Sequence, residues 1–190
     1  LVLQGVPLLP WSVTRLELFC NVDRSVLDNI FQHGQGLMTL AIRMPCLSEH
    51  LELDMCTHLR TLKLIATKEF IGELLPDRVA RIEGLETLHF EGCLNLTAEH
   101  ITGLAHLTNL QELCISFCGF HGNACEALGV LDVQKLDLHC CFGLDLMQIV
   151  DMPALRSLRI DRCPLNEAEY PDFFTSDLIA QLADFELRIE

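Results

Sequence analysis

Apolar residues along this chain recur as Leu-x-x-Leu-x-Leu, and eight such hexads can be marked. They begin at Val13, Leu37, Leu59, Leu85, Leu110, Val133, Leu155 and Leu182, with successive starts 24, 22, 26, 25, 23, 22 and 27 residues apart. The hexads read VTRLEL, LMTLAI, LRTLKL, LETLHF, LQELCI, VQKLDL, LRSLRI and LADFEL. Alternation within each is the mark of a strand with one buried face: the first, fourth and sixth positions point inward, and the second, third and fifth face solvent. A six-residue strand cannot bury its apolar side alone. Neighbouring units must therefore stack and share one core, so that Leu88, Leu113, Leu136 and Leu158 form a continuous ladder.

Between the hexads the pattern changes from period two to helical spacing. Val26, Leu27, Ile30 and Phe31 share one face, as do Ile101, Leu104 and Leu107. Thr97 and Asn166 are candidate helix caps, while Pro76 and Pro171 predict irregular turns in the two longest connections. The shorter connections are open to 3₁₀ winding. The expected fold is thus an α/β solenoid of about eight repeats over residues 13–190, right-handed, with a parallel sheet on the concave face and helices or irregular turns on the convex face. Residues 1–12, apolar and proline-containing, form a predicted N-terminal cap or flank with Trp11 packed inward; the last strand has no comparable cover and predicts a larger assembly.

Four hexads are followed by cysteine at the ninth position of the unit: Cys93, Cys118, Cys141 and Cys163. Together with the hexads, these cysteines give the chain its resemblance to the leucine-rich repeat superfamily, whose cysteine-containing class is familiar from F-box ubiquitin-ligase adaptors. The stretch LETLHFEGCLNLTAEHITGLAHLTNL, residues 85–110, carries the resemblance best. Ninth positions elsewhere are Asn21, Pro45, Thr67 and Glu190, and no F-box sequence occurs among the 190 residues. The resemblance implies inward-turned thiols that satisfy backbone groups. Because all ten cysteines lack the paired spacing of a disulfide framework, they predict reduced thiols and an intracellular, cytoplasmic setting. The ninth-position thiols are expected to be buried and slow to react, and Cys114 and Cys140 exposed and reactive.

Charge narrows the partners. The net charge is −14, with 8 Lys/Arg against 12 Asp/Glu in residues 1–95 and 5 against 15 in residues 96–190. Such a surface is ill-suited to phosphate backbones or anionic membranes and predicts no direct nucleic-acid contact. The longest uncharged run, Leu1–Thr14, contains Pro7 and Pro10 and is too short to span a bilayer, so no membrane insertion is expected. A protein partner, or several subunits of an assembly, is the expectation.

Stacked strands lie about 4.8 Å apart, so equivalent positions form spatial rows. The fifth-position row runs Glu17, Ala41, Lys63, His89, Cys114, Asp137, Arg159, Glu186, and the seventh runs Phe19, Arg43, Ile65, Glu91, Ser116, His139, Asp161, Arg188. From these rows the candidate partner-binding residues are Phe19, Arg43, Lys63, Ile65, His89, Glu91, Cys114, Asp137, His139, Arg159 and Asp161, joined by the aromatic Phe117. The first units pair basic residues with apolar ones, and the middle units are acidic, a mixture suited to a polypeptide.

Two sharper readings compete with simple binding. His89, Cys114 and Asp137 adjoin in one row, which would permit a thiol hydrolase built on Cys114; but the cysteine lies between the other two, and a sheet face offers no oxyanion donors. Cys114, Cys118, His121 and Cys125 have zinc-ligand types at close spacing, as do His139, Cys140 and Cys141, yet alternation sends their side chains to different faces. The expected function is therefore a non-catalytic protein-interaction module or scaffold, without metal or cofactor. The alternative implied by the resemblance is the substrate-recognition domain of an F-box-type adaptor.

Overall fold

The computed structural model describes residues 12–19, 24–44, 53–66, 79–92, 94–164 and 186–189. Its sheet has eight parallel strands in chain order: β1 Arg15–Leu18, β2 Thr39–Met44, β3 Thr61–Ala66, β4 Thr87–Glu91, β5 Glu112–Ser116, β6 Lys135–His139, β7 Ser157–Asp161 and β8 Glu186–Ile189. Every connection is long enough to return the chain to the same end of the sheet, which parallel pairing requires. The fold is a leucine-rich repeat solenoid, with the sheet on its concave side.

One row fixes the register. Leu16, Leu40, Leu62, Leu88, Leu113, Leu136 and Leu158 pair in succession as Cα partners across β1 to β7. The six from Leu40 to Leu158 are fully buried, as are the sixth-position residues Ile42, Leu64, Phe90, Ile115, Leu138 and Ile160. Each such side chain contributes about 1.5–3 kcal/mol on burial, so a one-residue slip, which would expose them all, is strongly disfavoured. A second periodic device reinforces the register at the strand entry. The carbonyls of Thr14, Met38, Arg60, Glu86, Gln111 and Gln134, all second-position residues, each accept two backbone N–H bonds from the following repeat at 2.8–3.0 Å.

The last repeat departs from the hexad reading. Leu158 pairs with Leu187, and Arg159 with Arg188, so the final unit sits two residues later than LADFEL indicates. Its fifth-position residue is Arg188, exposed, rather than Glu186. A two-residue slip preserves the alternation of apolar and polar positions, which is why alternation did not distinguish the two readings.

On the convex side α1 spans Arg24–His33, with Val26, Ile30 and Phe31 buried as their spacing predicts. The short helices α2 Ala98–Thr102, α3 Ala124–Leu128 and α4 Leu146–Val150 pack in sequence, α2 on α3 and α3 on α4. Thr97 caps α2 as expected: its N–H donates to His100 Nδ1 at 3.0 Å. The connections leading into β3, β4 and β5 wind through 3₁₀ turns, Leu53–Met55, Val79–Arg81 and Gly103–His106. Apolar residues three apart (Leu53, Cys56, Leu59; Val79, Ile82, Leu85; Leu104, Leu107, Leu110) are all buried, the spacing at which side chains eclipse in a 3₁₀ winding.

Past the ends of β4 to β7, a third device appears. The eighth residue of each unit has positive φ: Gly92 at 88°, Phe117 at 53°, Cys140 at 50° and Arg162 at 52°. For a side-chain-bearing residue this conformation costs about 1–2 kcal/mol. It reverses the alternation and turns the next residue, the ninth, into the core. Cys118 and Cys141 are buried there, with Cys118 Sγ donating to Ser116 O at 3.1 Å and Cys141 Sγ to Ile115 O at 3.2 Å.

Cys163 is only half-buried, contrary to the expectation for its position. It accepts from the Cys141 N–H at 3.2 Å, and its contact with Cys141 pushes its thiol down to about 7 while Cys141 is pushed up. The full burial expected of a ninth-position thiol is not found at Cys163. Seven cysteines, Cys56, Cys114, Cys118, Cys125, Cys140, Cys141 and Cys163, are free among the described residues. Cys93, Trp11, Pro76, Asn166, Pro171, the start of the last hexad at Leu182 and nearly all of the N-terminal flank lie outside those residues. Among the described residues no helix is long and apolar enough to cross a membrane.

Candidate functional site

Because the strand amides bond to neighbouring strands, the outer face of the sheet offers chiefly side chains. Its fifth-position row is Glu17, Ala41, Lys63, His89, Cys114, Asp137, Arg159 and Arg188, in continuous register. Arg43, Ile65, Glu91, Ser116, His139 and Asp161 form the seventh-position row beside it. Phe19 and Phe117 stand out from it, 52% and 48% exposed.

The expected boundary between basic and acidic units exists, but it is a seam of ion pairs. Lys63 Nζ meets Glu91 at 3.6 Å and Arg60 Nη1 meets Glu86 at 3.4 Å, both between β3 and β4 units; farther along, Lys135 meets Glu112 at 3.4 Å. Half-exposed pairs of this kind contribute about 0–1 kcal/mol each, so they organise the surface more than they stabilise it.

Ile65 does not belong to the accessible surface. It is 6% exposed, although alternation places it on the outer face. Its register neighbours are Arg43 and Glu91, and Lys63 precedes it by two residues on the same face. Ala41, in the fifth-position row, is buried on the outer face as well.

The row His89, Cys114, Asp137 is brought side by side, yet the imidazole and thiol are joined through a third residue. His89 Nε2 lies 3.2 Å from Ser116 Oγ, and Cys114 Sγ lies 3.9 Å from the same oxygen. Ser116 is the buried polar residue of this face. Burial, then the charge of Asp137, pushes the Cys114 thiol up to about 11, which keeps it protonated at neutral pH. A thiol held protonated is a weak nucleophile, so this environment does not favour the ready reaction expected of Cys114 from its row position. Burial, followed by the Lys63 charge, holds the His89 imidazole below its ordinary value.

The four residues with zinc-ligand spacing are directed to separate partners. Cys118 Sγ bonds to Ser116 O, Cys125 Sγ donates to Gly143 O at 3.7 Å, and His121 Nε2 lies 3.1 Å from Leu94 O. Among the described residues no three His, Cys, Asp or Glu side chains are grouped to hold a metal ion.

A different cluster forms where β6 and β7 end. His139 Nδ1 lies 2.7 Å from Asp161 Oδ2, and Cys140 Sγ lies 3.5 Å from His139 Nε2. The Phe117 ring meets the imidazole edge-on, centroids 5.2 Å apart. Asp161 also faces Arg159 Nη2 at 3.9 Å and Arg162 Nε at 3.6 Å. His139 and Asp161 were legible as row neighbours, but Cys140 and Arg162 were not, because left-handed backbone sets their directions.

No family model matches this sequence, and no curated protein is similar to it at a significant level. Among solved structures the chain is similar to internalin C2 of Listeria monocytogenes, at 18% identity and a TM-score of 0.46, covering 84% of this chain and 74% of that one. It is also similar to an internalin, inlF, of the same organism, at 14% identity and a TM-score of 0.31, covering 95% and 70%. The fold assignment rests on the strand register and the buried leucine rows.

Proposed function

We propose that this chain is a non-catalytic protein-interaction module that binds a polypeptide across the outer face of its sheet. The observation that carries the reading is the continuous register of the fifth- and seventh-position rows, which sets Lys63, His89, Asp137, Arg159 and Asp161 on one open face beside Phe117. Alternating charges on a rigid sheet favour a partner with a complementary pattern, and an exposed aromatic at the edge supplies an anchor. The strongly acidic chain favours a partner with basic segments.

The experiment is capture of proteins from an extract of the native source by the chain and by two variants. Lys63→Glu with Arg159→Glu alters the outer face; Glu99→Ala with Glu126→Ala alters exposed positions on α2 and α3. Retention lost about tenfold with the first variant and unchanged with the second supports the reading. The reverse result would move binding to the convex side. A second reading is favoured by inward-turned Cys118 and Cys141, which match the cysteine-containing class. It makes the module the substrate-reading part of an F-box-type ubiquitin-ligase adaptor, in which case the captured proteins accumulate when ubiquitination is blocked.

A further inference from the structure

At the end of β6 a thiol, an imidazole and a carboxylate stand in sequence. Asp161 Oδ2 lies 2.7 Å from His139 Nδ1, and an ionised carboxylate can only accept, so Nδ1 carries the hydrogen. In the neutral ring the Nε2 lone pair is then free to accept, and it points to Cys140 Sγ at 3.5 Å. The ring is held from two sides, and its partner carboxylate is anchored in turn. Asp161 fixes one nitrogen, the Phe117 ring lies edge-on at 5.2 Å, and Asp161 is itself anchored by Arg159 and Arg162. Cys140 is held too: its φ of 50° and its N–H bond to Asp161 O at 2.8 Å fix the backbone that bears the sulfur. The thiol is half-buried, so a small molecule can reach it.

We propose that Cys140 is a reactive thiol that forms a mixed disulfide with low-molecular-weight disulfides, with His139 as its base and Asp161 as the residue that positions the base. The Sγ proton passes to His139 Nε2 as Sγ attacks one sulfur of the small disulfide. A new bond forms between Sγ and that sulfur, the original S–S bond breaks, and the departing thiolate takes the proton back from Nε2. Cys140 is oxidised, and one half of the small disulfide is reduced to a thiol. Attack by a second small thiolate on the small-molecule sulfur of the adduct re-forms the small disulfide and releases Cys140 as its thiol, so the modification is a switch set by the surrounding thiol-disulfide balance.

The test uses the folded chain and oxidised glutathione, with adducts located at each cysteine by peptide mass mapping after acid quenching. Wild type, His139→Gln and Asp161→Asn are compared, and melting curves establish that each variant folds. Cys140 in wild type should acquire the adduct at least about tenfold faster than Cys114, which is also half-buried. His139→Gln should slow Cys140 by about tenfold or more while leaving the Cys114 rate as in wild type. Asp161→Asn should slow Cys140 as well, through the lost tautomer control, and it decides the matter if His139→Gln fails to fold. In urea the two cysteines should react alike. Equal rates at Cys140 and Cys114 in the folded chain, or a Cys140 rate unmoved in every folded variant, would overturn the proposal.

Discussion

The described parts of the connections leading into β3 and β4 wind through 3₁₀ turns, Leu53–Met55 and Val79–Arg81. Those between β4 and β7 contain α2, α3 and α4, and the units there also carry left-handed eighth residues, with buried cysteines following two of them. The strands on either side of this change pair in one unbroken register. Whatever fills the convex layer, then, the register is held by the inward leucines and the paired entry bonds. The connections decide something else, namely which side chains reach the sheet's end, and only in the second half do they deliver His139, Cys140 and Asp161 to one place.

If the leucine row serves both halves alike, Leu62→Ala and Leu113→Ala should each destabilise the chain by about 2–5 kcal/mol in urea unfolding. Both side chains are fully buried. A cost below about 1 kcal/mol at Leu62 alone would show that the first half is not held by this row.

Glycines separate the halves more sharply. At Gly143, φ is +72° and an added Cβ would lie 2.3 Å from the Phe120 carbonyl oxygen, so Gly143→Ala should cost about 2–4 kcal/mol. At Gly84 the nearest atom is the flexible end of Arg60, 3.1 Å away, and Gly84→Ala should change stability by less than about 0.5 kcal/mol. Similar costs at both sites, read from thermal melts, would erase the contrast between tight and tolerant connections.

The inward thiols offer a smaller effect. Cys163→Ala removes the acceptor of the Cys141 N–H and should cost about 1 kcal/mol, with Cys163→Ser recovering part of it because a hydroxyl can accept the same bond. No difference between the two variants would mean that the thiol acts by volume alone.

The smallest effect is one of pH. Burial lowers the His89 and His100 imidazoles below the ordinary value of 6.5, so the unfolded chain takes up protons in a range where the folded chain resists them. Stability should therefore be fully present above about pH 6.5 and fall as the pH drops through that value toward the folded ones. His89→Gln should flatten the melting temperature against pH across that window. A slope unchanged by the variant would assign the acid loss to other groups.

Period-two alternation with leucine at the fourth position of seven of the eight hexads was enough to specify the parallel strands, their inward rows and the solenoid, because burying those rows is the largest favourable contribution and stacking of the units achieves it. Helical spacing likewise disclosed α1, and Thr97 disclosed the start of α2. The tertiary structure alone decided the rest. The last unit could be read two residues early because a two-residue slip preserves alternation; pairing of Leu187 with Leu158 settled it. Ile65 had the right alternation for exposure, yet it is buried in the folded sheet, which alternation along one strand does not encode. Cys140 escaped the row analysis for a third reason. A positive φ at the eighth position breaks alternation, so the direction of that thiol toward His139 is a property of the folded backbone, which hydrophobic pattern does not encode.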